Sequence, residues 1–437
     1  MKHKVLMRYP LGNPRRKWRM DNFVINVASA GPMDSTLVPK DDLTRRKTRR
    51  GVKTTIDAGF NLMGCLWAEP ELAMDIVRTA ERYGGNVLFQ DIKRFGGNHR
   101  QRFGPVNDYA GAIRDTAQWN CIKGYCLWDE PIFPEHLEET RRMVDYCEQV
   151  RPDLLPYTVA NPSYHSKCSW EKKEFAPYID RFLDIIEPAQ LDFDYYPIGK
   201  RDYVPENQLD NCVMWSDMEI VRRAAQKREI PFWFCYQAQA FPWHPIFCPF
   251  HFNMARSMAF GAVLYGAKGL CAYTEFAGFI DPTTGGPGVF FEEQKKLNNE
   301  IAALGNTLMA LRCLRVIHDE NLLKDHLSME DIRTGMEESE FLTGTLHNRI
   351  SVSEHEDNYG NKYLMVLNRD YDNTAYTCLK FKKPYHVYEV SKEDGEQYLR
   401  YERAKNINVY LQPGDLILYR LQDAEEEPYT IEYCLDK

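Results

Sequence analysis

Between residues 22 and 275, short apolar runs alternate with longer segments whose apolar positions recur every three to four residues. Continuous or period-two apolar runs bounded by turn residues read as strands, and a 3.6-residue period reads as helix, so the pattern predicts repeated βα units. Eight strands are expected, over residues 23–29, 61–67, 86–92, 122–128, 155–161, 191–197, 231–237 and 269–276. The segments between them, such as LTRRKTRRGVKTTIDAG, PELAMDIVRTAERYGG and PEHLEETRRMVDYCEQV, are helical in pattern, with Pro or Gly marking the ends. Eight such units in about 250 residues is the size of a closed (β/α)8 barrel. A doubly wound open sheet is the alternative, but no GxGxxG follows the first strand and there is no P-loop.

Residues 292–312 supply a last barrel helix, and after Arg315 the texture changes. Short stretches such as FLTGTLHN, KYLMVLNR, NINVYL and DLILYRL alternate in polarity between Asn, Asp and Gly, as antiparallel strands do. The expected fold class is therefore α/β: a (β/α)8 TIM barrel over residues 1–315 followed by a small antiparallel β-sandwich over 316–437, the two docked rigidly. A chain of 437 residues suits that division, because a single core stops growing at roughly 250–300 residues.

The net charge of −8 argues against a nucleic-acid partner, whose phosphates call for a basic surface. Twelve cysteines are scattered without a CxxC pair, several inside apolar runs, which favours reduced thiols packed as small hydrophobes. No apolar stretch approaches the ~20 residues of a membrane span, so a soluble protein is expected, cytoplasmic or exported behind a removed leader. Eleven histidines include no HxH or HExxH and there is no GxSxG, so neither a metal, another cofactor nor a serine nucleophile is expected.

In a barrel of this kind, chemistry gathers where the strands end. The fourth strand ends Trp128-Asp129-Glu130-Pro131, where Pro131 has no N–H to continue a ladder. The second ends at Trp67 and Glu69, the third at Gln90 and Asp91, the fifth at Asn161, the sixth at Asp194, Tyr195 and Tyr196, the seventh at Gln237 and the eighth at Tyr273 and Glu275. Carboxylates, amides and flat aromatics thus converge on one rim from which Lys is nearly absent. That mixture suits cleavage of a glycosidic bond in an oligo- or polysaccharide: a carboxyl pair flanking the bond, and rings to stack on sugars. Acids after strands also serve as helix N-caps, the expected role of Glu69 and Asp91, whereas Glu130, before a proline and beside Trp128, suits a partly desolvated acid. Trp67, Trp128, Asp129, Asn161, Tyr196, Gln237, Trp243 and Tyr273 are the substrate-binding candidates. The Gly-rich segment 281–290 reads as a mobile loop over the mouth or a plain surface connection.

On Asp129-Glu130-Pro131, FDYYP (193–197) and MAFGAVLYGAKGLCAYTEF (258–276), the chain resembles the clan A glycoside hydrolases, (β/α)8 enzymes whose fourth strand ends in Asn-Glu-Pro. The resemblance covers most of the chain and implies a C-terminal β-sandwich, with Glu130 as general acid/base. Asp stands here in place of the motif's Asn. The clan's nucleophile, a Glu ending the seventh strand, has no counterpart in PFWFCYQAQAF, which offers Gln237 and Gln239. An amide cannot form a glycosyl ester, so the second carboxylate is expected at Glu275 or Asp194. The alternative is a catalytically inactive carbohydrate-binding protein on a hydrolase-like barrel, and a third possibility is a lyase using the same acids as bases. Oligomeric state stays open.

Overall fold

The structure, a computed structural model, describes residues 2–6, 12–31, 41–95, 108–163, 172–198, 213–240, 250–273, 278–319, 332–345 and 349–435. Its centre is a closed barrel of eight parallel strands in sequence order: Val24–Val27, Leu62–Gly64, Val87–Phe89, Ile122–Asp129, Leu155–Ala160, Leu191–Tyr195, Phe232–Gln237 and Gly269–Tyr273. All eight fall within or across the runs expected from the sequence. The first pairs with the eighth, Val24 with Gly269 through Val27 with Ala272, and this closure excludes the open sheet. The fifth, sixth and seventh strands are buried along their whole length, as parallel strands covered on both faces are.

Local chemistry sets where the surrounding helices start. Asp41 caps helix Asp42–Asp57 by accepting from the Thr44 amide, and helices Pro70–Tyr83 and Pro134–Val150 open on proline, whose missing N–H costs nothing in a first turn. Gly84, at φ +75°, ends Pro70–Tyr83 in the left-handed conformation. The chain before the first strand closes the opposite end of the barrel. There the buried Arg16 pairs with Asp145 at 2.7 Å and Glu148 at 3.1 Å, and Trp18 meets the edge of Trp233.

The C-terminal part is an eight-stranded sheet, antiparallel but for the short strand Arg333–Thr334. Its first strand, Arg312–His318, spans the boundary expected at residue 315. The expected sandwich takes the form of one continuous curled sheet. Strand Ala375–Val390 bends at a register shift between Lys380 and Tyr385; its first half meets Leu342–Gly344 and its second half meets Leu416–Asp423. One long bent strand thereby supplies the curvature that two facing sheets would. Lys2–Leu6 and Ile431–Leu435 pair in parallel, joining the two ends of the chain.

Helix Phe252–Leu264 is buried on all sides between barrel and sheet. Against it, strand Lys362–Asn368 divides its apolar residues by alternation: Tyr363, Met365 and Leu367 join the barrel core, while Leu364 and Val366 join the core of the sheet. At the centre of this junction Arg369, fully buried, donates to Ser351 Oγ at 2.9 Å and to Asp319 at 3.3 Å, with His318 Nδ1 at 3.1 Å. A guanidinium only donates, so His318 accepts at Nδ1 and its Nε2–H donates to the Tyr265 hydroxyl at 2.8 Å. Burial and the nearby Arg369 charge keep His318 neutral, well below its ordinary pKa. Arg369→Ala removes a buried guanidinium beside Asp319 and should cost about 3–5 kcal/mol. Urea unfolding would show this as a lower midpoint, and a midpoint equal to that of wild type would remove the junction from the stability of the chain.

Candidate active site

The site is built on the turn that ends the fourth strand. Between Cys126 and Asp129 this strand holds one residue more than its neighbour: Cys126 pairs with Tyr157 and Asp129 with Val159. The extra residue reverses the alternation, so Asp129 takes the inward position and Trp128 turns outward. Glu130 then follows in the left-handed region at φ +52°, a conformation that costs a non-glycine residue about 1–2 kcal/mol.

Three side chains hold the turn by its carbonyl oxygens. Thr158 Oγ1 donates to the Trp128 oxygen at 2.7 Å, Asn161 Nδ2 to the Glu130 oxygen at 3.2 Å and the Tyr178 hydroxyl to the Pro131 oxygen at 3.0 Å. The Asn161 amide in turn donates to the Tyr178 hydroxyl at 3.1 Å. A second clasp lies across the rim, where Gln90 accepts from the Trp67 amide at 2.7 Å and donates to the Leu127 oxygen at 3.3 Å. Trp67 is itself left-handed, at φ +56°. Among the described residues, two of the six non-glycine residues with positive φ therefore flank the mouth, where strain is a device for aiming side chains.

The sixth strand brings two acids inward by alternation, Asp192 deep in the barrel and Asp194 at the mouth. Burial, then the facing charges of Glu130 and Asp129, push Asp194 well above the ordinary carboxylate range, while a hydrogen bond from Tyr196 opposes the shift. Glu130, Asp129 and Asp194 thus interact at one mouth, and such a set retains a proton where isolated carboxylates lose theirs. Below them Asp192 accepts from the Tyr157 hydroxyl at 2.6 Å. Burial pushes Asp192 up to about 8, with the Tyr157 bond opposing and Asp194 reinforcing. Along this axis Asn26 Oδ1, Asp192 Oδ1, Asp194 Oδ1 and Asn161 Oδ1 are buried and accept no hydrogen bond among the described residues.

The other candidates separate clearly. Tyr196 and Tyr273 stack on each other at 4.7 Å, half-buried above the interior layer of Ala28, Cys235 and Cys271. Trp67 is half-buried on the rim. Trp128, expected to face substrate, instead stacks on His136 of the outer helix at 4.5 Å, because the bulge turned it away from the mouth. Tyr195 is fully buried packing.

Gln237 is held by the backbone. It accepts from the Ile198 amide at 2.9 Å and donates to the Ile198 and Gln239 oxygens at 3.1 and 2.9 Å, so its amide clasps the loop backbone. Asp91 is the cap expected of it, accepting from the Lys93 amide, whereas Glu69 sits at an N-cap but pairs with Lys93 at 3.0 Å. Segment 281–290 lies against helix Asp42–Asp57, with Thr54 donating to the Gly285 oxygen at 2.9 Å, and there a side chain at Gly285 would meet the Lys47 carbonyl. Glu275 and Trp243 lie outside the described residues.

Among the described residues no group of three or more His, Cys, Asp or Glu is placed to hold a metal ion, and no helix is long and apolar enough to cross a membrane. Thr158, Tyr178 and the Asp192–Tyr157 pair are parts of the site that the strand ends did not reveal. The signal for Asp192 was present, as two acids spaced by two on one strand.

With this geometry in hand, the molecule can be set beside known proteins. No family model matches the sequence, and no curated protein matches it. A catalytic mutant of a GH42 β-galactosidase from G. stearothermophilus superposes over 95% of this chain and 100% of its own, at TM-score 0.55 and 7% identity. A GH27 β-L-arabinopyranosidase from Geobacillus stearothermophilus superposes over 93% and 97%, at TM-score 0.47 and 11% identity. The likeness to the GH42 enzyme is one of fold, here a closed (β/α)8 barrel with an additional C-terminal antiparallel sheet. What it shares with the GH42 enzyme is the architecture over the whole length.

Two measurements test the site's physics. A raised Asp192 pKa means that the folded chain binds more protons than the unfolded one between pH 3.8 and about 8. Its contribution to stability is thus complete below pH 3.8 and lost as the pH rises through 8. Asp192→Asn should flatten the fall in thermal midpoint between pH 5 and pH 8.5; an unchanged fall would show that Asp192 ionises normally. At the strained turn, Glu130→Gly should unfold about 1 kcal/mol later than Glu130→Ala, since both lack the carboxylate and only Ala keeps the left-handed penalty. Equal chemical denaturation curves would mean that the turn relaxes.

Proposed function

We propose that this protein hydrolyses a glycosidic bond in an oligo- or polysaccharide, with Glu130 as general acid/base and Asp194 as the second carboxylate. The observation that supports this reading is the convergence of Glu130, Asp129 and Asp194 in one buried mouth, where burial and the charges of Glu130 and Asp129 raise the Asp194 carboxyl well above its ordinary range. Glycoside hydrolysis asks for one carboxyl that protonates the leaving oxygen and a second, ionised, that attacks the anomeric carbon or activates a water; the coupled carboxyls titrate as a unit, so the proton that Asp194 holds in the free protein passes to Glu130 when substrate is bound. The left-handed turn fixes Glu130 from the backbone outward, and positioning of this kind supplies much of a catalyst's advantage. The stacked Tyr196 and Tyr273 offer a face to a sugar ring, and Asn161 Oδ1 offers an acceptor to a hydroxyl.

One observation favours a second reading, a carbohydrate-binding protein without turnover. At the seventh strand, where the resemblance calls for a nucleophilic Glu, Gln237 is committed to the loop backbone. The two readings part in one experiment: release of reducing sugar from plant, algal and host glycans by wild type, Glu130→Gln, Asp194→Asn and Glu275→Gln, with the anomeric form read by NMR. Glu130→Gln should lower kcat/KM about 10²–10⁴-fold, and Asp194→Asn should abolish turnover while Glu275→Gln does not. Loss in Glu275→Gln with activity kept in Asp194→Asn would move the second carboxylate to Glu275. Binding without hydrolysis by wild type would establish the second reading.

A further inference from the structure

Four of the ten large apolar or aromatic side chains exposed on the described surface lie on one hairpin, Ala375–Val390 with Gln397–Leu411: Tyr376, Tyr398, Tyr401 and Tyr410. Two of them are tied locally, since Tyr398 donates to Asp394 at 2.7 Å and Tyr401 to the Asn408 oxygen at 3.2 Å. The other two are cross-strand partners, Tyr376 opposite Tyr410, and remain 63% and 56% exposed. The next pairs on the same face are Cys378 with Asn408 and Lys380 with Asn406, while Thr377, Leu379, Ile407 and Val409 between them are buried on the other face. The outer face is therefore a strip one hairpin wide, with two tyrosines at one end followed by amides and a cation.

The charge of this hairpin opposes that of the chain. The strands Ala375–Val390 and Gln397–Leu411 hold six cations, Lys380, Lys382, Lys383, Arg400, Arg403 and Lys405, and two acids, Glu389 and Glu402, in a protein of net charge −8. Lys383 and Arg400 are neutralised by Asp423 and Glu389, whereas Lys380, Arg403 and Lys405 make no ion pair among the described residues. Tyrosine faces bind flat, weakly polar rings, amides bind hydroxyls, and a local positive field attracts anions. Pairing with a second copy through the outer edge of Gln397–Leu411 is disfavoured by the Arg400, Arg403 and Lys405 charges it carries.

We infer that this strip binds a polysaccharide bearing carboxylate groups, away from the barrel mouth, and holds the chain on its polymer. The inference rests on the hydrolase reading only in taking a glycan as the ligand. The test is native affinity electrophoresis of the full-length Glu130→Gln protein in gels containing polygalacturonate, its methyl-esterified form or oligothymidylate. Polygalacturonate should retard the protein, the methyl ester much less. Tyr376→Ala/Tyr410→Ala and Lys380→Gln/Lys405→Gln should each bind about tenfold more weakly, with circular dichroism unchanged. In an otherwise wild-type background the same substitutions should leave cleavage of a short oligosaccharide as it was. Equal retardation of parent and variants, no retardation at all, or retardation by oligothymidylate in preference to polygalacturonate would overturn the inference. Because binding is read without turnover, retardation by polygalacturonate in a protein that cleaves no glycan would sink the hydrolase reading and leave the strip standing.

Discussion

The left-handed turn at Glu130 is the constraint on which the rest of the site depends. It exists because an extra residue in the fourth strand sends Asp129 inward, and it persists because Thr158, Asn161 and Tyr178 each take one of its carbonyl oxygens. None of those donors is local. Two belong to the fifth strand and its end, and the third to helix Lys172–Ile186, so the turn forms only when the fourth and fifth strands are in register and that helix has docked. A parallel barrel meets this requirement directly, since each strand end has a fixed neighbour on either side. Strain of this sort survives where the surroundings over-determine it.

The barrel interior beneath the turn is unusually polar. Asp192 and Tyr157 form a buried pair under Asp194, and Asn26 with three cysteines, Cys126, Cys235 and Cys271, lines the same space. A neutral acid there does two things at once. It avoids the desolvation cost of a buried charge, and it leaves Asp194 facing fewer negative neighbours than the formal count implies. The depth of the barrel and the chemistry of its mouth are thereby electrostatically linked through one strand.

How much of this was legible follows from what sequence period can and cannot encode. The eight strands and the late change to antiparallel pairing were visible because period-two and 3.6-residue patterns report burial directly. The direction of Trp128 was not, since plain alternation from the inward Cys126 places it inside, and a bulge leaves no mark in a run of apolar residues. The role of Gln237 was hidden for another reason: its partners are backbone atoms, two of them on Ile198, 39 residues away in sequence. The curled sheet in place of a sandwich turns on a register shift in Ala375–Val390, where KFKKPY shows only a break in alternation.

The Gln237 clasp also bears on descent. A single base change turns a glutamine codon into a glutamate codon, so by mutation alone a carboxylate at the end of the seventh strand is always near. Here that exchange would replace an amide donor with an acceptor set against the Ile198 and Gln239 carbonyl oxygens, and the loop that depends on the donor would have to rebuild with it. The clasp thus works as a ratchet. A lineage that acquires it is held to whatever second acid it already uses, or to none, and any divergence in chemistry must begin in the loop before it can reach the strand.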